Sequence, residues 1–220
     1  MARRKQLSKD APGRAGGRRQ PLEEVASQPR IIGGTMRGRK LAYSGDLRTR
    51  PMKERVREAV FNLVGPGVKH KQAVDLFAGT GALGLEAISR GAARATFIER
   101  HYPTLQLIRQ SARALGVEGQ CELVFANTFI WARNPTGLGS VPWVIFCSPP
   151  FDFYVERRDE MLALIGKLLE TAPPESLAVV EADARFDYGL LPQADAWDVR
   201  PYPPAVIGIY RKSDEWLESS

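Results

Sequence analysis

The sequence predicts an α/β fold, a doubly wound sheet of mostly parallel strands with a small extension at its N-terminus. Three observations lead there. From Ala73 onward, short apolar runs alternate with segments of helical periodicity, the pattern of a parallel sheet covered on both faces. In the first of these units the run Val74, Leu76, Phe77 ends in a glycine turn at Gly79, Gly81 and Gly84. Ala82, Leu83, Leu85, Ala87 and Ile88 then suit a helix packed on a sheet. A second apolar run closes on Glu99, twenty positions after Gly79. Strand, glycine loop, helix, strand and acid make the nucleotide-binding half of a Rossmann-like fold.

In chain order, residues 1–29 are rich in Arg, Lys, Gly, Gln and Pro with almost no apolar side chains, so they read as a disordered basic tail. Residues 30–66 read as a basic arm and helix. Over 30–50, Ile31, Ile32 and Leu41 give apolar contacts to a β-hairpin or small arm, with Arg37, Arg39 and Lys40 on its turn. Pro51 opens a helix whose stripe is Met52, Val56, Ala59, Val60 and Leu63; the opposite side carries Lys53, Arg55 and Arg57. Residues 67–220 hold the sheet. After Glu99, Leu105, Ile108, Ala112 and Leu115 share a helix face. The third strand is C-E-L-V-F, followed by Ala126-Asn127, and the fourth is V-P-W-V-I-F-C, followed by Ser148. A helix spans 155–169, with Met161, Leu164, Ile165 and Leu168 toward the sheet. The fifth strand is L-A-V-V-E, and W-D-V-R with A-V-I-G-I-Y-R adds two more strands as a hairpin, seven in all.

The glycine loop and the acid define a ligand. The glycines let the backbone turn sharply and approach it, and Glu99 at a strand tip can accept both ribose hydroxyl hydrogens. Asp75, four residues before Gly79, bears on which nucleotide is held. A carboxylate there repels a pyrophosphate, which needs bare amides at a helix N-terminus. It suits S-adenosylmethionine, which carries a sulfonium and an ammonium. The plainer reading has Asp75 hydrogen-bonding the loop amides.

Length and charge bound the partner. The 220 residues suffice for one domain with an extension. Residues 1–57 hold 16 Lys and Arg against 5 Asp and Glu, whereas residues 58–220 hold 15 against 20. A basic front end on an acidic body points to a polyanion delivered by the N-terminal segment. Its phosphate contacts are assigned to Arg37, Arg39, Lys40, Arg48, Arg50, Lys53 and Arg57, a solvated charged face being the plain alternative. Cys121 and Cys147 fall inside strands as small apolar residues of a reducing compartment, and His70 and His101 make no pair, so no metal site is expected. No apolar run approaches the ~20 residues of a membrane span, and no signal-peptide core opens the chain. A cytoplasmic monomer without membrane contact is the expectation.

A second chemical signal is S-P-P-F, Ser148 to Phe151, at the end of the fourth strand. Ligands in open parallel sheets bind at the carboxyl ends of strands, so this loop borders the cofactor cleft. Pro149 and Pro150 fix the backbone and remove two amide donors, leaving carbonyls to accept. Phe151 gives a flat face for a base, with stacking worth about 1–3 kcal/mol. A hydroxyl, a carbonyl and a ring suit the capture of a planar amine.

With these motifs the chain resembles the class I, S-adenosylmethionine-dependent methyltransferases acting on exocyclic amines of nucleic acids. More closely, it resembles the bacterial RsmD-like enzymes that make N2-methylguanine in 16S ribosomal RNA. The carriers are R-I-I-G-G-T-M-R-G-R-K-L, R-P-M-K-E-R-V-R-E-A-V-F-N, D-L-F-A-G-T-G-A-L-G-L-E-A, F-I-E and P-P-F, from about Arg30 to Lys212. The resemblance implies that residues 67–220 are the methyltransferase domain and that Asp75, Phe77, Gly79, Gly81 and Glu99 bind the cofactor. It places Asn127 beside the adenine, and Pro149, Pro150 and Phe151 beside the target base. It implies ribosomal RNA, free or in a small-subunit particle, as partner. The RsmD-like motif opens with Asp where this chain has Ser148; among amine methyltransferases Asp, Asn and Ser all occur there.

The mechanism so implied has the Pro149 carbonyl and the Ser148 oxygen accept the amine hydrogens, with the proton leaving to water. Asp152 is the alternative carboxylate. Two rival readings remain. A DNA or RNA adenine-N6 methyltransferase would use the same loop. A non-catalytic relative would bind RNA and transfer nothing.

Overall fold

The computed structural model describes residues 28–46 and 51–213. Arg48, Arg50 and residues 1–27 of the basic tail lie outside the described residues. Seven strands form one sheet: β1 (Gln72–Asp75), β2 (Arg94–Glu99), β3 (Cys121–Phe125), β4 (Trp143–Cys147), β5 (Leu177–Asp183), β6 (Trp197–Tyr202) and β7 (Ala205–Arg211). Their order is β3-β2-β1-β4-β5-β7-β6. β1 to β5 pair in parallel, whereas β7 runs antiparallel to both β5 and β6. The helices are α1 (Glu54–Val64), α2 (Ala82–Ser89), α3 (Tyr102–Leu115), α4 (Thr128–Trp131), α5 (Phe153–Glu156) and α6 (Arg158–Thr171). The expected Rossmann-like architecture is therefore the observed one.

Both faces of the sheet are buried, and the strand pleat deals residues to them in turn. Ala73, Val144, Phe146, Leu177 and Val179 face a layer built with α1, α2 and α3. Val74, Ile145, Cys147, Ala178 and Val180 face a second layer built with α6 and Trp131. Each fully buried Leu, Ile or Phe contributes about 1.5–3 kcal/mol, so a one-residue slip that exchanged Ile145 with Phe146 would misfit both layers. Among the described residues, no helix is long and apolar enough to cross a membrane.

The arm is the small antiparallel turn expected, with the Ile31 amide donating to the Arg39 carbonyl at 2.9 Å and the Gly38 amide to the Ile31 carbonyl at 2.8 Å. A single antiparallel bridge joins Arg30 to Lys40, and a short 3-10 turn occupies Gly34–Met36. The arm's backbone also bonds to α2. Glu86 accepts from the Ile32 and Gly33 amides at 2.7 Å each, and Ser89 Oγ accepts from the Met36 amide at 2.9 Å. Gly34 has φ +74, and a Cβ there would overlap the Ser89 carbonyl, so the G-G of the arm is what permits this approach.

Arg57 corrects the sequence reading. The charge pattern puts it on the exposed side of α1 as a phosphate contact, but it is 0% exposed. Its Nη2 donates to the Arg30 carbonyl, and its Nε lies 3.7 Å from Glu86. The reason is helical spacing: Arg57 shares a face with Val60, Phe61 and Val64, all buried. The helix expected over 155–169 is likewise divided, with Arg157 in a non-helical conformation between α5 and α6.

Candidate active site

The strand order reverses direction between β1 and β4, and a cleft of about 800 Å3 opens there at the carboxyl ends of the strands. One wall carries the glycine loop and Glu99. Glu99 is half-buried at the tip of β2, where its Oε2 accepts from the Gly79 amide at 3.0 Å and its Oε1 from the His101 amide at 2.8 Å. Two backbone donors thus fix the carboxylate while each oxygen keeps acceptor capacity for a diol. The loop can lie so close because Gly84 leaves room for the Phe97 ring, which a Cβ would overlap.

Phe77, Gly79, Glu99 and Asn127, four of the residues assigned to the cofactor, line the cleft. Asn127 caps α4 by accepting from the Phe129 amide at 3.0 Å, which leaves its amide hydrogens for a ligand. Asp75 and Gly81 do not line it. Gly81 sits behind, as the residue before α2, against Ile108 and Phe97. Asp75 is 2% exposed and accepts from the Gly84 amide at 3.1 Å, bracing the loop from below. The plainer reading of Asp75 is the observed one, and its contact with a cationic ligand is corrected. Burial, with Glu99 nearby as a lesser cause, raises its carboxyl to about 7, against the Gly84 bond.

The facing wall is the loop of Ser148 to Phe151. Among the described residues, the Pro149 carbonyl accepts no hydrogen bond, whereas that of Pro150 accepts from the Phe153 amide at 2.9 Å and starts α5. Only one of the two proline carbonyls is thus spare. Phe151 packs its ring against the core and borders the cleft. Asp152 borders the cleft and pairs there with Arg185 at 2.8 Å, and Arg185 also holds Asp183.

The carboxylate that does meet Ser148 is Glu181, on β5. It is 7% exposed, borders the cleft, and its Oε2 accepts the Ser148 hydroxyl hydrogen. Burial raises its carboxyl above the ordinary range, while the Ser148 bond acts in the opposite sense. Sequence reasoning missed it, although a lone acid at the carboxyl end of an apolar strand, L-A-V-V-E, was a signal. Phe129, Phe153 and Arg157 were missed as well. The rings of Phe77, Phe129 and Phe153 meet near 6 Å, and the Arg157 guanidinium lies 3.9 Å over Phe129. Residues far apart in sequence gave no local pattern for that cluster.

Of the basic residues, Lys53 stands at the cleft and Arg37 and Lys40 are exposed on the arm. Arg39 is exposed too, with one nitrogen donating to the Ala114 carbonyl. Cys121 and Cys147 are free thiols pushed up to about 12 by burial. No group of three or more His, Cys, Asp or Glu among the described residues could hold a metal ion.

Comparison with known proteins places this arrangement. The ribosomal RNA small subunit methyltransferase D of Escherichia coli K12 is 38% identical over 193 residues, 88% of this chain and 93% of that protein. Its namesake from Haemophilus influenzae is 31% identical over 155 residues, covering 70% and 78%. The solved structure of yhhF from Escherichia coli aligns with a TM-score of 0.68 at 31% identity, over 84% of this chain and 98% of that one. A Thermus thermophilus 16S rRNA N2 G1207 methyltransferase, solved with AdoMet and guanosine, shares the fold at a TM-score of 0.64 and 18% identity, over 84% of this chain and 49% of that one. A family model described as Conserved hypothetical protein 95 matches residues 29–199, and with relatives of this identity over most of both chains, the chain belongs to that family.

Proposed function

We propose that this chain is an S-adenosylmethionine-dependent methyltransferase that modifies the exocyclic N2 amine of a guanine in 16S ribosomal RNA. The observation that carries the reading is one cleft with two unlike walls: the amide-fixed Glu99 with its glycine loop, and the Ser148–Phe151 loop facing it. The residues fit the cofactor. Glu99 offers acceptors to a ribose diol, Asn127 offers amide hydrogens to a base, and Phe77 gives an apolar surface. When bound there, S-adenosylmethionine supplies an electrophilic methyl group.

The chain's own residues then hold the nucleophile. The amine lone pair is delocalised into the guanine ring, and an acceptor must bond the amine hydrogens to turn that lone pair outward. In this reading the Pro149 carbonyl and the Ser148 oxygen are those acceptors. The base must leave its stack to arrive, and Phe151 replaces part of the lost stacking. Holding the amine in line with the methyl group is the main contribution.

The relatives named for ribosomal RNA methylation, the exposed basic arm and Lys53 support RNA as substrate. The same reading has the protein act as a cytoplasmic monomer. Labelled cofactor offered with 16S RNA, small-subunit particles and a DNA duplex tests it: label on a guanine N2 of one of the first two is expected. Label on adenine alone, or on DNA alone, overturns it. RNA binding should weaken steeply with salt. Neutralising Arg37, Arg39 and Lys40 together should flatten the log–log slope by about 0.7–0.9 for each phosphate that is no longer paired with a cation. An unchanged slope would remove the arm from the RNA platform.

A further inference from the structure

Glu181 is more weakly bonded than a carboxylate in its position ordinarily is. Among the described residues only the Ser148 hydroxyl donates to it, and its Oε1 accepts nothing. A carboxylate taken out of water normally gathers several donors, because an under-bonded one costs its desolvation. This one keeps acceptor capacity at the edge of the cleft. Ser148 gives its single hydroxyl hydrogen to Glu181, so toward any other group it can only accept. The pair therefore offers two acceptor atoms side by side, one of them charged, and no donor.

Guanine has the matching edge. Its N1–H and its N2 amine are donors attached to the same ring carbon. Adenine sets an unprotonated N1 beside its amine, and a carboxylate facing that lone pair is repelled. Hydrogen-bond sites of this kind discriminate strongly, because the wrong base leaves a buried charge unpaired.

We propose that Glu181 and Ser148 together read the Watson–Crick edge of the target guanine, Glu181 accepting N1–H and Ser148 an N2 hydrogen, which makes Glu181 the determinant of guanine over adenine. This rests on the methyl-transfer reading above. It also gives the loop a charged acceptor where Ser148 itself is neutral.

The test replaces the guanine that wild type methylates, in a synthetic RNA segment, by 2,6-diaminopurine. That base keeps the N2 amine but has a bare N1. Above pH 8, wild type should prefer guanine by about a hundredfold in kcat/KM. It should show the same preference in the Kd of the segment measured with S-adenosylhomocysteine present. Glu181→Gln, whose amide can donate to a bare N1, should lower the guanine rate by about tenfold to a hundredfold and bring the two bases level. Its affinity for S-adenosylmethionine should stay within twofold of wild type. A Gln variant that keeps the wild-type preference overturns the proposal. A wild type indifferent to the two bases overturns it as well, without any variant having to fold. Methylation of no guanine at all would instead sink the functional reading on which it rests.

Discussion

Two buried carboxylates of this chain, Glu86 beneath the arm and Glu181 behind the Ser148–Phe151 loop, are bonded in opposite ways. Glu86 is 0% exposed and receives the Ile32 and Gly33 amides, the Arg90 Nε at 2.8 Å and the nearby Arg57 guanidinium. Each of its oxygens is engaged, and the result is a fastening of the arm to the helix that follows the glycine loop. Glu181, almost as deeply buried, receives one hydroxyl. A saturated buried charge holds elements together; an under-bonded one beside a cleft stands ready for a ligand. Burial alone therefore does not tell these two acids apart; what separates them is that Glu86 has its donors inside the fold, whereas Glu181 keeps an unengaged oxygen beside the cleft.

The largest effect should come from breaking the fastening. Glu86→Ala leaves Arg57 buried without its counter-charge, and removing one partner of such a pair costs about 3–5 kcal/mol. Burial already lowers the Arg57 pKa, with Glu86 opposing that shift, so the loss falls on a group with little water to turn to. Two Arg57 nitrogens, Nε and Nη1, have no hydrogen-bond partner in the described structure. Urea unfolding measures the cost, and the double variant Arg57→Met, Glu86→Ala should regain part of it. A Glu86→Ala protein within 1 kcal/mol of wild type would dissolve the contrast between the two acids.

Next in size is Asp75, which like Glu181 has one donor among the described residues but does not line the cleft. Its pKa is raised from the ordinary value of 3.8 to about 7 by burial first, then by Glu99. A carboxyl raised in the folded state contributes stability that is fully present below pH 4 and lost as pH rises through 7. The difference over that window is on the order of 4 kcal/mol for a shift of this size. Asp75→Asn can keep the Gly84 bond and removes the charge. Its stability relative to wild type should therefore climb between pH 4 and pH 8, read from urea midpoints at both. A parallel pH dependence in the two proteins would mean that Asp75 is better solvated than its burial indicates.

The sequence made the sheet legible because apolar runs and helical stripes are local: the third strand fell on Cys121–Phe125, and the tail resolved into β6 and β7 as a hairpin. Glu99 was legible for the same reason, since the acid ends a strand at a set distance from the loop. The charge of Arg57 points outward while its spacing to Phe61 and Val64, buried beside it, points inward, and packing decides. Glu181 and the Phe129–Arg157 stack were out of reach for a different reason. What gives them meaning is a neighbour brought in by the sheet: Ser148 lies 33 residues from Glu181. Asp152 is adjacent to Phe151 in sequence, yet its partner is Arg185.

The smallest and most telling effect concerns the stability of Glu181→Gln. Burial raises this carboxyl too, against the bond from Ser148, so the sign is the same as for Asp75. Whatever Glu181 contributes to folding is present below its unfolded pKa and is lost as pH rises through the raised folded value. Above that window the ionised, under-bonded group weighs against the folded state. Glutamine has nearly the same shape, accepts the Ser148 hydrogen through its carbonyl, and carries no charge. At pH 8 the variant should therefore be as stable as wild type or more so, by about 0.5–2 kcal/mol, the range common where an active-site group is relaxed. At acid pH, where the wild-type group is protonated, the gap should close. Paired urea curves at the two pH values measure both. If Glu181→Gln instead loses more than 1 kcal/mol at pH 8, Glu181 is a fastening like Glu86, and its nearness to Ser148 serves the fold rather than the base in the cleft.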